Sequence, residues 1–414
     1  MKQKVWGWML AGLCITGLGS AHAKEIFTSE IQVGDQAAKI LTYNNISNVA
    51  DQYDTAQMLK MFPNYSDTTQ VAAKLDLRGV DVKLDFAENS GKLNFTIPSL
   101  GIVRSYGEVN GSREDAKDAF LDALKGEDKN LLKALTKEWV KHSPIDPVAG
   151  NPTSLLSTMV VSSTDSFSDM TSNQTLGIKS TSGSIGIMPR FGRYTQAGYG
   201  VDVYNLPLNY AHWFDSKDMG IAVDMPLTLV DTEGSLTGSV NLGIGLNFKV
   251  TSNHAFSWYL MPQIRGGVTA SEDFGTAALI YGGGLGSNLQ FPLNERSSVG
   301  IINMVSYYKT DPIKIKDFNS GYDLQNTVYR NGAEYSHVLS RSVNNSPLVA
   351  KFQFARTDYH GDELFSEVSH DISASLGFKN QKKKAWVDEY RAGVTYTHAD
   401  KGLKGFLLNL GYVF

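Results

Sequence analysis

Enzymatic chemistry needs a nucleophile, an acid–base group or a metal held among partners, so histidines and carboxylates are weighed first. From residue 178 onward the histidines are His212, His254, His337, His360, His370 and His398. His360 and His370 flank Asp362, Glu363 and Glu367, donors of a kind that bind divalent cations, but such a cluster is far more often a solvated acidic loop, and it is read as one. No Gly-x-Ser-x-Gly, His-Glu-x-x-His or phosphate-loop pattern occurs. The single cysteine, Cys14, lies in an N-terminal apolar run, so downstream there is no thiol nucleophile, disulfide or cysteine metal site. An enzyme is therefore not expected, nor any cofactor or metal.

A different set of charged residues stands out by its placement in strand-like stretches: Lys249, Arg265, Arg330, Glu334, Lys351, Glu389 and Arg391, with Asp224 beside them. Each falls among small or polar residues while its neighbours on the opposite face are apolar. Charges withdrawn from bulk water must be paired or kept wet. On a closed sheet such residues line the lumen, either around a water-filled path or in ion pairs that rigidify a shut interior. Their signs are mixed, so strong ion selectivity is not expected.

The elements that carry them recur about every twenty residues from Ile178. In Leu236 to Val250, Leu236, Val240, Leu242, Ile244, Leu246, Phe248 and Val250 share one face, and Thr237, Ser239, Asn241, Gly243, Gly245, Asn247 and Lys249 the other. About twelve strands are predicted: 178–189, 197–214, 219–230, 236–250, 255–267, 275–291, 298–309, 325–339, 348–359, 368–379, 386–398 and 404–414. Each approaches or exceeds the ~9–11 residues that cross a bilayer at a tilt. No apolar run downstream of the N-terminus reaches the ~18 residues of a spanning helix, and only a closed barrel buries strand backbone in lipid without unpaired edges. The fold class expected is mainly β: a transmembrane antiparallel up-and-down barrel over 178–414. Short turns at 215–218, 251–254, 294–297, 340–347 and 380–384 are assigned to the periplasmic end, and the longer 310–324 and 360–365 to the outer end. By the alternation, His212, His337 and His398 face lipid or an interface.

The last residues, Phe406-Leu-Leu-Asn-Leu-Gly-Tyr-Val-Phe414, put Phe406, Leu408, Leu410, Tyr412 and Phe414 on one face. This resembles the C-terminal assembly signal of Gram-negative outer-membrane β-barrels. The resemblance implies insertion by the outer-membrane barrel assembly machinery after escort by periplasmic chaperones, and contact with outer-membrane lipid. It identifies no particular family.

At the other end, Lys2 and Lys4 precede an apolar stretch and Ala21-His-Ala23, the pattern of a cleavable signal peptide over 1–23. Residues 24–170 read as a small mixed α/β domain. Val80 to Phe86 and Leu93 to Ile97 alternate as a hairpin, Ser112 with Asp115 suggests a capped helix, Leu131 to Trp139 a second, and Asn151-Pro152 the start of a third. Ser157 to Thr175, rich in Ser, Thr and Asp, reads as a linker, with 171–177 closing it. If both chain ends stay in the periplasm, this domain lies there too, with insertion into the lumen as the other arrangement left open. A net charge of −4 gives no basic surface for nucleic acid.

The function expected is a passive channel or transporter for small solutes in the outer membrane. Gly243, Gly245, Gly282, Gly284 and Gly286 leave room in the lumen. The alternative is that they admit a helix from 113–163 as a plug, giving a closed structural, adhesive or assembly barrel whose N-terminal domain makes the contacts.

Overall fold

A computed structural model describes residues 24–123, 128–175, 183–214, 218–315, 318–319, 321–343, 346–379 and 389–413. The expected signal peptide and Phe414 lie outside them.

The N-terminal unit is a six-stranded antiparallel sheet. Its strands are β1 (Phe27–Val33), β2 (Lys39–Tyr43), β3 (Val71–Leu77), β4 (Asp81–Phe86), β5 (Leu93–Ile97) and β6 (Ile102–Tyr106), in the order β2-β1-β3-β4-β5-β6. The expected hairpin is β4–β5, with Leu84 opposite Phe95. Residues 24–63, which show no clear periodicity, supply β1, β2 and two short helices, α1 (Ile46–Asp51) and α2 (Thr55–Met61). Helix α3 (Arg113–Asp122) starts at Ser112, whose hydroxyl accepts the Glu114 amide at 3.1 Å. Helix α4 (Lys129–His142) starts at Asp128, whose carboxylate accepts the Leu131 amide at 2.9 Å.

The linker reading of 157–175 is overturned. These residues belong to α5 (Leu155–Thr175), a helix of 21 residues. It begins after Ser154 rather than at Asn151-Pro152, because the Asn151 side chain folds into the preceding turn and accepts the Thr153 amide at 3.0 Å. At 1.5 Å per residue it is about 31 Å long, close to the thickness of a bilayer's hydrocarbon core. Among the described residues, no helix is apolar enough to cross a membrane against lipid; α5 crosses inside protein.

The remaining long strands close into a barrel. They are β7 (Gly183–Ile187), β8 (Arg190–Gln196), β9 (Tyr199–Trp213), β10 (Met219–Thr232), β11 (Ser235–Ser252), β12 (Ser257–Ser271), β13 (Thr276–Asn294) and β14 (Ser297–Asp311). A two-residue ribbon, β15 (Lys314–Ile315) with β16 (Phe318–Asn319), decorates one connection. The series then resumes with β17 (Gln325–Val343), β18 (Ser346–Gly361), β19 (Val368–Lys379), β20 (Glu389–Ala399) and β21 (Lys404–Val413). All neighbours pair antiparallel. β7 and β8 are one staggered strand interrupted at Met188-Pro189, and both pair with β9 on one side and β21 on the other. Counted that way the barrel has twelve strands; the described part of its first is 183–196, and residues 178–182 of the expected 178–189 lie outside the described residues.

The surface pattern is the reverse of a soluble protein's. Ile264 is 66% exposed and Phe406 64%, while Asn247, Asn288 and Gln290 are fully buried. Only a solvent of lipid makes apolar-out, polar-in the low-energy arrangement. The fold is an outer-membrane-type β-barrel.

The first and last barrel strands begin and end at the same rim as the connections β9–β10, β11–β12, β13–β14 and β17–β18. The opposite rim carries the 233–234, 272–275, 312–324 and 362–367 connections. The N-terminal sheet sits on that second rim: Asn44 donates to the Glu233 carbonyl at 2.9 Å and Asn45 to Asp273 at 2.7 Å. The expectation that this domain shares a side with the barrel's ends is therefore not met. The chain enters at one rim and reaches its first strand at the other by way of α5.

Candidate functional site

The lumen is the place where charged and polar side chains converge, and α5 occupies it. One stripe of the helix (Leu156, Met159, Val160, Phe167, Met170) is apolar at helical spacing and leans on the β10–β14 half of the wall. Phe167 is fully buried with Met170, Trp213, Tyr259, Met261 and Met304. Gly286 makes this approach possible: a Cβ there would stand 2.8 Å from the Phe167 ring. The Ser and Thr residues keep the helix thin, and several satisfy their hydroxyls on the helix itself. Ser163 donates to the Met159 carbonyl at 2.9 Å and Thr171 to that of Phe167 at 2.8 Å.

The wall charges named from the sequence point inward, and Arg265, Glu334, Lys351 and Arg391 bond to α5. The Arg265 guanidinium holds Asp224 through two bonds of 2.7 and 2.5 Å, donates to Asn241 at 2.5 Å, and reaches Ser163 of α5 at 2.9 Å. One helical turn further on, Lys351 donates to Ser168 at 2.9 Å and lies 3.1 Å from Glu334, and the Ser168 hydroxyl donates to Glu334 at 2.5 Å. Arg391 bridges Asp169 of α5 at 2.9 Å and Glu389 at 2.8 Å. Arg330 keeps to the wall, with Thr357 at 2.6 Å and Asp371 at 2.8 Å. Lys249 stands near the turn rim, 3.7 Å from Asp218. The partners on α5 (Ser163, Asp165, Ser168, Asp169, Thr171) lay inside the stretch read as linker. The signal that finds them is the apolar stripe running through it.

The helix does not fill the lumen evenly. Polar clefts of about 130 and 90 Å³ lie along its other side, and share Asp169, Met188, Arg391 and Gly411. Across them Arg190 reaches Asp165 at 2.7 Å. Towards the domain-bearing rim the first cleft adjoins a space of about 10 Å³ between Gly150, Ser157, Tyr359 and Ser366. A space that small holds about one water molecule.

That rim is locked by the N-terminal unit. Along one side of α4, Lys133, Lys137 and Lys141 pair with Asp323, Asp362 and Glu363 of the barrel loops, Lys137 at 2.7 Å. The Lys133 and Lys141 ammonium groups hold Asp323 and Glu363 below the ordinary carboxylate range. The turn between β3 and β4, Arg78-Gly79, inserts behind them. Arg78 is fully buried, its guanidinium carbon 4.1 Å from the Trp139 ring and one nitrogen 3.6 Å from Asp146. Burial raises the Asp146 carboxyl against the pull of Arg78, and Tyr322 donates to it at 2.8 Å.

The acidic 360–367 segment is thus a docking strap rather than a free solvated loop. The two histidines that flank its acids sit on strands: His360 packs against the Tyr329 ring and His370 stacks on Phe354. Among the described residues no group of three His, Cys, Asp or Glu is placed to hold a metal. In the terminal strand Phe406 and Leu408 face outward, with Leu410 and Tyr412 half-buried.

No protein-family model matches the sequence, and no curated protein matches it. Solved structures similar to it include the beta domain of the Bordetella autotransporter Brka, 10% identical over 56% of this chain and 99% of that one, TM-score 0.41. The translocator domain of autotransporter NalP from Neisseria meningitidis is 12% identical over 61% and 97%, TM-score 0.39. An outer membrane channel from Pseudomonas putida F1 is 12% identical over 57% and 96%, TM-score 0.39.

Proposed function

We propose that this protein is a plugged outer-membrane barrel whose job is to carry and display its N-terminal domain, rather than a passive pore for small solutes. The observation that carries this reading is the bonding of α5 to the wall at successive levels, through Arg265–Ser163, Lys351–Ser168, Arg391–Asp169 and Asn288–Thr171. A helix merely caught in a pore would not be matched residue by residue. In bacterial barrels the ends of the strand run and the short turns face the periplasm. On that rule the domain-bearing rim faces the cell exterior, and the barrel machinery and chaperones implied by the terminal strand act before the domain reaches it.

The second reading, a narrow conduit, has the polar clefts beside α5 in its favour. The space of about 10 Å³ beside the first cleft has room for about one water molecule, so on this reading solutes pass only if α5 moves. Planar-bilayer recording tests both. The full chain is expected to give a closed baseline with at most brief small openings, and a chain lacking residues 24–175 a steady large conductance. Equal steady conductance from both would overturn the plugged reading. The truncated chain must first show heat-modifiable migration, which establishes that its barrel is formed.

A further inference from the structure

The N-terminal sheet and its helices enclose a second cavity, of about 110 Å³, unrelated to the lumen. Its walls are almost wholly apolar and include Val49, Met58, Ala73, Leu84 and Phe120. Exposed Thr55 and Glu114 also line it, so it reaches the surface between α2 and α3. Apolar cavities of about 150 Å³ stay dry and accept ligands the size of benzene.

The polar groups around it are nearly all engaged. The Tyr53 hydroxyl bonds Ser29 at 2.7 Å, and Lys117 pairs with Asp54 and with Glu114. Arg113 is the exception. It is 6% exposed, lies over the Phe86 ring at 4.8 Å, and donates from Nε to the Ser90 carbonyl at 3.1 Å and from Nη2 to that of Ala87 at 3.3 Å. Its Nη1 is buried without a well-formed hydrogen bond, the Tyr65 hydroxyl being the polar group beside the guanidinium, and it is the unmatched donor among the described residues lining this cavity. A buried guanidinium donor without a partner costs free energy that a bound anion would recover. The other two arms being fixed, the free arm is already oriented.

We infer that the N-terminal domain binds a small apolar carboxylate of about six to eight heavy atoms, its hydrocarbon part in the cavity and its carboxylate on Arg113 Nη1. The domain displayed at the barrel rim would then be a ligand-binding module, an inference independent of whether the lumen conducts.

Titration calorimetry on the full chain in lipid nanodiscs, with empty nanodiscs as blank, tests it with hexanoate and 1-hexanol as probes. Hexanoate is expected to bind one saturable site at least about tenfold tighter than hexanol, since its carboxylate forms an ion pair with the guanidinium where the hydroxyl offers only a neutral acceptor. Ala73→Leu, which places three more heavy atoms in the cavity, should abolish both, and Ala73→Val should weaken both. Arg113→Gln should erase the preference for the acid. Hexanoate binding no tighter than hexanol, or unchanged by Ala73→Leu and Ala73→Val, or no saturable binding at all, overturns the assignment. Should Arg113→Gln fail to fold, because Ser90 and Ala87 lose their donor, the acid–alcohol comparison in the native chain and the Ala73 pair still decide.

Discussion

Phe167→Ala probes the plug most directly. Phe167 is fully buried against Met261, Met304 and Tyr259, and Gly286 leaves no side chain that could swing into the space the ring vacates. Truncating a buried phenylalanine costs about 3–5 kcal/mol when the site cannot collapse. Here that cost falls on the docked helix alone, because an undocked helix leaves residue 167 in a water-filled lumen. At about 1.4 kcal/mol per decade, the ratio of undocked to docked helix should rise roughly a hundred-fold to several-thousand-fold. Phe167→Leu, which keeps most of the volume, should shift it by less than about tenfold. Single-channel recording of native, Leu and Ala proteins reads this as open probability increasing in that order. An Ala variant as quiet as the native protein, with heat-modifiable migration intact, would refute the idea that apolar packing by α5 keeps the lumen shut.

The buried Asp224–Arg265 pair gives a second expectation. Arg265→Met strands a carboxylate inside the wall and should cost about 3–5 kcal/mol, whereas the double variant Asp224→Leu/Arg265→Met should recover most of that loss. The temperature at which heat-modifiable migration is lost, in Arg265→Met, in Asp224→Leu and in the double variant, measures it. Acid gives a third. The α4 lysines depress Asp323 and Glu363, so their contribution to docking is fully present above the ordinary carboxylate pKa of about 4 and disappears as pH falls through the lower folded values. Hydrogen exchange of α4 should be constant from pH 8 to 5 and should accelerate beyond the intrinsic rate change below about pH 4. Lys133→Gln/Lys141→Gln should remove that acid dependence.

The barrel was legible in the sequence because strand alternation is a local property. Leu236 to Val250 declares its two faces from side-chain type alone, and the inward position of Arg265, Glu334 and Lys351 follows from the same period of two. The hairpin Val80–Ile97 and the cap at Ser112 are local too. What misled was composition. Ser157 to Thr175 carries so many hydroxyls that it resembles a linker, yet inside a lumen those hydroxyls bond to the helix's own carbonyls or to Asn288, Glu334 and Lys351 on the wall.

By itself, then, the sequence determined a membrane barrel of about twelve strands, with its charges inside and its apolar side chains towards lipid. Tertiary structure alone decided that a helix fills that barrel, that the N-terminal domain stands at the rim opposite the barrel's ends, and that the acids at 362–363 hold α4. The reason is distance along the chain. Periodicity reports which face a residue occupies, but Ser163 meets Arg265 and Asp169 meets Arg391 only once a closed ring of strands brings residues one to two hundred positions apart to the same depth.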